Sequence, residues 1–380
     1  MSSCFLKVLN ISITAGWLVL AVVLLRFALR KAPKWVCCML WGLVALRLVL
    51  PFTIESRFSL LPSGEPVQTG SATAASAANL QTATVPHEQI VLHSGFAAVD
   101  DAVNSVMTTA GTDTIASIQR AAAWIWLMGV GAMLLYATVS FLHMKHKVRA
   151  SIEKERNVYV CDDVVSPFIL GAIRPAIYLP SGLDEQSRAH VLAHERAHIQ
   201  RLDYLIKPLG FLLLSIHWFN PLIWFAFVLF SRDIEFACDE KVIARLDVEG
   251  RAAYSHTLLA FSRLGKAITV CPVAFGEVGV KERVKSVLGY KKPAIWVVLV
   301  ALIAGAAIAV CFLTAPTPAQ TAQLYVEDAP LPSYERPWPK EPVKGGGENE
   351  VQPEPEPEPE RPTAILNLLT CVDQQCVEAD

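Results

Sequence analysis

The sequence predicts a mainly α-helical membrane protein: four spans, a re-entrant helical hairpin and a small α+β domain on the cytoplasmic side. Three observations predict it. Of 380 residues, 53% are hydrophobic and 18% charged, with a formal net charge of −2 and no basic domain, which suits a membrane protein and excludes direct nucleic-acid binding. Long apolar runs are flanked on one side by clustered Lys and Arg. Between the third and last runs lie short β-like segments followed by a His-rich helical stretch.

The first span runs from about Val8 to Arg26, with Arg26, Arg30, Lys31 and Lys34 behind it. A secretory signal would carry its positive charge ahead of the apolar run, so this reads as an anchor. Trp35 to Phe52 forms the second span. It holds Arg47, either a functional intramembrane charge or a side chain snorkelling to the interface. Residues 1–57 thus hold two N-terminal spans.

Phe58 to Gln119 contain no Lys or Arg but carry Glu65, Glu88, Asp100, Asp101 and Asp113, so residues 58–119 read as an extracellular loop. The third span, Ala121 to Leu142 within residues 120–143, is followed by Lys145, Lys147, Arg149, Lys154 and Arg156, which returns the chain to the cytoplasm. Residues 144–292 then form a cytoplasmic domain. Lys281, Arg283, Lys285, Lys291 and Lys292 close it, setting topology or touching anionic lipid. The last span, Ile295 to Leu313 within residues 293–314, leads to an extracellular tail, residues 315–380. Its Pro-Glu alternation from Pro353 to Glu360 is extended rather than folded, and Cys371 and Cys376 near its end either pair or stay free.

Inside the cytoplasmic domain, Tyr159-Val160-Cys161, Pro167-Phe168-Ile169-Leu170 and Ala176-Ile177-Tyr178-Leu179 are short apolar runs bounded by turn residues, and they read as strands. Such a sheet can hold an extended substrate on its edge, or serve as core alone. His194-Glu195-Arg196-Ala197-His198 follows on a helix. Residues four apart share a face, so both imidazoles reach one metal ion, and Glu195 is placed to take a proton from water. That pattern points to zinc hydrolysis.

Two histidines under-coordinate a catalytic zinc, which takes three protein ligands and leaves one position open. Glu235 is the best third ligand, and Asp239, four residues on, can hold a ligand histidine through its other ring nitrogen. Between the motifs, the apolar stretch 205–230 is long enough to cross a bilayer once, which would put Glu235 on the wrong side. A hairpin broken around Trp218-Phe219-Asn220-Pro221 is therefore expected, each arm about half a membrane deep. The alternative is a pair of amphipathic helices inside a soluble domain. His217 reads as structural, and Cys238 as packing, since no cysteine has metal-site spacing.

These two motifs, with His217-Trp218-Phe219-Asn220-Pro221-Leu222, Ser166 to Gly171 and Pro175 to Pro180, resemble the BlaR/MecR family of integral-membrane zinc peptidases over most of Ile11 to Leu313. The resemblance implies a gluzincin-like zinc-peptidase domain with Zn2+ on His194, His198 and Glu235 and Glu195 as base. Asp203 and Asp239 match motif acids that support the ligands. It also implies a signal-transducing antirepressor that cuts a cytoplasmic repressor or itself, the latter in the loop around Cys271 to Gly276, which otherwise reads as a linker. The expected partners are a peptide or protein substrate, that transcriptional repressor, membrane lipid and a second copy of the chain. The tail is too short and Pro-rich for the penicillin-binding sensor domain of the best-known members, so β-lactam sensing is not carried over. Two other functions fit the residues: a constitutive membrane-protein quality-control protease, and a non-proteolytic receptor or scaffold with a structural metal.

Overall fold

The computed structural model describes residues 2–50, 54–55, 67–71, 88–92, 100–105, 112–264 and 279–315. The chain divides into two units, 1–329 and 330–380; the second, with the Pro-Glu run and both terminal cysteines, lies outside the described residues. So do most of the loop 58–119 and the stretch 271–276.

Three described helices are long and apolar enough to cross a membrane. They are α1 (Ser2–Ala28), α3 (Thr112–Lys147) and the last helix, α9 (Ile295–Leu313). α3 extends well past the expected 121–142 at both ends, because nothing in Thr112 to Gln119 or His143 to Lys147 breaks a helix. α2 (Lys34–Val49) stands where the second span was expected. At 16 residues it is about 24 Å long against a hydrocarbon core of about 30 Å.

The hairpin forms as the sequence requires. α5 (Asp203–Ile216) and α6 (Pro221–Ile243) flank a break at 217–220, where Asn220 accepts a hydrogen bond from the Leu222 amide at 2.9 Å and Pro221 occupies the first helical position. Its two helices pack against α1 and α2 in one apolar core containing Leu18, Val22, Trp41, Val44, Leu214 and Phe227. At the tip, the Asn220 amide donates to Ser12 Oγ at 2.9 Å and Phe219 meets the ring of Phe5. At the other end Asp233 meets Arg26. The tip thus lies beside the first turns of α1, and α5, at 14 residues, is about 21 Å long. His217 is buried and its Nδ1 donates to the Leu213 carbonyl at 3.0 Å, the structural role expected of it. Arg47 does not snorkel: it is buried and donates to Thr14 Oγ1 of α1 at 3.2 Å.

The tip also leans on α3. A Cβ added at Gly129 would lie 2.2 Å from the ring of Trp218, which is pinned by its own bond to the Trp126 carbonyl at 3.2 Å. Replacing a helical glycine with alanine ordinarily stabilises a helix by about 1 kcal/mol. Here the sign reverses: Gly129→Ala is expected to cost about 1–3 kcal/mol through overpacking. A lower melting temperature with shifted tryptophan emission checks it, and a rise in melting temperature would refute the contact.

Behind α3 comes a four-stranded sheet of order β4-β5-β7-β6: β4 (Ile152–Glu155), β5 (Val158–Cys161), β6 (Phe168–Leu170) and β7 (Ala176–Pro180). Pairing is parallel for β5 and β7, with Val158 opposite Ile177, and antiparallel elsewhere. Three strands match the apolar runs. The fourth, β4, has one apolar residue in four and is exposed throughout, so it carries no alternation to read. Val158, Ile177 and Leu179 pack on Val191 and Leu192 of α4 (Glu185–Gln200). That contact seats the His-rich helix on the sheet, and an Arg188 to Glu155 ion pair at 2.7 Å ties it to β4. α7 (Val248–Leu264) and α8 (Val280–Leu288) complete the domain around Ile243, Tyr254 and Val287.

Candidate metal centre

α4 begins at Asp184, whose side chain accepts from the Ser187 amide at 3.0 Å, and runs unbroken through both histidines. The fixed helical period then does what the spacing promised. His194 and His198 lie on one face, buried, with their Nε2 atoms 3.2 Å apart. Glu235 arrives from α6 with one carboxylate oxygen 3.4 Å from His194 Nε2 and the other 3.5 Å from His198 Nε2. These three residues form a group whose ligand atoms fall within 4.8 Å of one another.

Each histidine is held from behind. The chain turns sharply at Leu202, a non-glycine residue at φ +61°, and this brings Asp203 back so that its Oδ2 lies 2.9 Å from His198 Nδ1. Asp239, one helical turn beyond Glu235, places Oδ1 3.2 Å from His194 Nδ1, and Tyr254 Oη lies 2.9 Å from the same nitrogen. A carboxylate only accepts, so each imidazole, when neutral, carries its proton on Nδ1 and turns its Nε2 lone pair toward the other, with Arg283 Nη2 3.4 Å from that of His194. Converging imidazole lone pairs of this kind suit a bound cation. Four ligands on tetrahedral zinc at about 2.0–2.1 Å stand about 3.3–3.4 Å apart. The 3.2 Å between the two Nε2 atoms lies close to that figure, and imidazole with carboxylate is a donor set zinc accepts.

Burial works against a charged His194, but the hydrogen bonds to Asp239 and Glu235 outweigh it and hold the imidazole up to about 9. Burial likewise opposes a charged Asp239, yet the Arg283 guanidinium holds its carboxyl well below the usual carboxylate range. A proton therefore competes with a metal ion for the His194 lone pair, and metal binding there releases it.

Five of the residues singled out by the sequence, His194, His198, Asp203, Glu235 and Asp239, are joined by these contacts, while Glu195 is buried beside His194 on the same helix and, among the described residues, makes no hydrogen bond or ion pair. Four more join them. Lys207 Nζ donates to Glu235 Oε1 at 2.8 Å; a lone cation in the apolar run 205–230 was a readable signal for it. Tyr254 donates to Asp239 at 2.7 Å, and Arg283 binds Asp239 through two hydrogen bonds. Cys238 does more than pack: its thiol donates to Asp203 at 3.2 Å and touches His198 Nδ1. Cys238 with His198 and Asp203 makes a second group of metal-capable atoms, but it uses the ring nitrogen already bound to Asp203.

A family model described as BlaR1 peptidase M56 matches residues 6–287. The regulatory protein BlaR1 of Bacillus licheniformis is 29% identical over 164 residues, 37% of this chain and 27% of that protein. The chain thus covers only about a quarter of that relative's length. The family match, in contrast, runs from the start of the first apolar helix to the end of α8, well over half of the sequence, and the chain belongs to the BlaR1 peptidase M56 family, a family of metallopeptidases.

Proposed function

We propose that the chain is a multi-pass membrane zinc endopeptidase with a cytoplasmic active site, and that it transduces a signal by cutting a cytoplasmic repressor, itself, or both. The observation that carries the chemistry is the convergence of His194 Nε2, His198 Nε2 and the Glu235 carboxylate, each backed by a second group. Zinc bound there supplies Lewis acidity toward a peptide carbonyl and toward water. Asp203 and Asp239 hold the rings in the tautomer that leaves Nε2 free. Glu195, without a partner among the described residues, accepts the proton of the attacking water on its carboxylate and returns it to the departing amine. Tyr254 holds one oxygen of Asp239 from a third helix and so helps to order the ligand set before substrate arrives.

Four spans (α1, α2, α3 and α9) and a hairpin that dips into the bilayer and returns account for the charge pattern. Arg26 to Lys34, Lys145 to Arg156 and Lys281 to Lys292 then share the side that carries residues 144–292. The pairing of β1 (Ile54–Glu55) with β8 (Thr314–Ala315) supports α2 as a span, because it joins the chain just after α2 to the chain just after α9. Cleavage of a repressor rests on the family alone.

The test is metal removal. Dialysis of the full-length protein against a zinc chelator is expected to lower its melting temperature and abolish peptide cleavage, both restored by one equivalent of zinc. His198→Ala should lose zinc permanently. Retention of stoichiometric zinc by His198→Ala would exclude this ligand set.

A further inference from the structure

Arg283 reaches the metal centre from outside the motif helices. It sits on α8, beyond residues 265–278, in a basic cluster that topology alone explains. Yet it is buried at 9% exposure rather than solvated. Its Nε donates to Asp239 Oδ2 at 2.7 Å and its Nη2 to Asp239 Oδ1 at 2.7 Å, a two-pronged contact. Nη2 also lies 3.4 Å from His194 Nε2, and Nη1 lies 3.3 Å from Glu235 Oε2.

The geometry gives this contact a consequence beyond charge balance. Asp239 Oδ1 serves His194, Tyr254 and Arg283, whereas Oδ2 meets Arg283 only among the described residues. Without the guanidinium Oδ2 has no partner among the described residues and only the Tyr254 hydroxyl holds Oδ1, a single contact about which the carboxylate can turn away from His194 Nδ1. A planar fork that grips both oxygens removes that freedom, and a lysine, with a single ammonium, does not. We propose that Arg283 is a positioning residue of the metal centre: it locks Asp239, and through Asp239 orients His194, so that the centre is complete only while α8 is docked. This rests on the reading of the site as a zinc centre. Docking of α8 is local and apolar, with Val287 fully buried among Ile243 and Tyr254 and with Glu282 paired to Arg232. α8 continues through residues 289–294 into α9, so the same contact ties the ligand set to the last apolar helix.

The experiment measures zinc affinity by chelator competition in the full-length protein for wild type, Arg283→Gln, Arg283→Lys, Asp239→Asn and the Asp239→Asn/Arg283→Gln double variant. Arg283→Gln is expected to weaken zinc binding by about 10–100-fold, the usual loss when a group supporting a ligand is removed. Arg283→Lys should fall between that variant and wild type. Because Arg283 acts through Asp239, the double variant should bind no more weakly than Asp239→Asn alone. Losses that add, or Arg283→Gln within two-fold of wild type, would overturn the proposal. If Arg283→Gln fails to fold, Arg283→Lys decides, and affinity within two-fold of wild type overturns it. A wild type that binds no zinc would overturn the metal-centre reading itself, and Arg283's role with it.

Discussion

Glu195→Gln is expected to reduce peptide cleavage by about 10²–10⁴-fold while the protein keeps one equivalent of zinc. The amide has the size of the carboxylate but no basic oxygen, so the general-base contribution disappears. Zinc should stay because Glu195 is not among the three residues whose donor atoms converge. Side by side in native membranes, wild type should give a cleavage product on induction and Glu195→Gln none. Cleavage by Glu195→Gln within about three-fold of wild type would remove Glu195 from the mechanism, and a zinc-free Glu195→Gln would mean that it binds the metal.

The largest effect on stability is expected at Asp233. Its carboxylate, 1% exposed, accepts from Arg26 Nε at 2.8 Å, from Arg26 Nη2 at 2.7 Å and from Trp41 Nε1 at 2.9 Å. It thereby joins α1 and α2 to α6 two residues before Glu235. Asp233→Ala leaves a largely buried guanidinium and an indole N–H without their acceptor, which costs about 3–5 kcal/mol. Replacing both partners, as in Arg26→Met/Asp233→Leu, should recover most of the loss, since no charge then remains unpaired. Thermal melting of the single and double variants checks this. Equal melting of Asp233→Ala and wild type would show that the pair contributes nothing. Zinc affinity should fall in Asp233→Ala and recover in the double variant if α1 and α2 hold the metal helix in place.

Much of the site was legible in the sequence because helical spacing is local. His194 with His198, and Glu235 with Asp239, are each four apart, and the 3.6-residue period puts each pair on one face whatever surrounds it. The hairpin break was legible for a similar reason: Pro221 cannot continue the ladder of the helix before it, and Asn220 caps the helix after it. Three strands showed as apolar runs between turns. β4 was not legible, since Ile152-Glu153-Lys154-Glu155 has no face to bury and pairs only because β5 offers a free edge.

Tyr254 and Arg283 mark the other limit. They reach the motif residues from α7 and α8, and no spacing along the chain relates them. The reach of the hairpin tip to Phe5 and Ser12 and the inward turn of Arg47 are of the same kind. The sequence by itself determined which residues can bind a metal and where the chain must reverse, because those follow from backbone period and proline. Only the tertiary structure decided which cations and hydroxyls close around that set, because helix packing depends on the shape and burial of whole faces, and these are set by contacts between segments far apart in the chain.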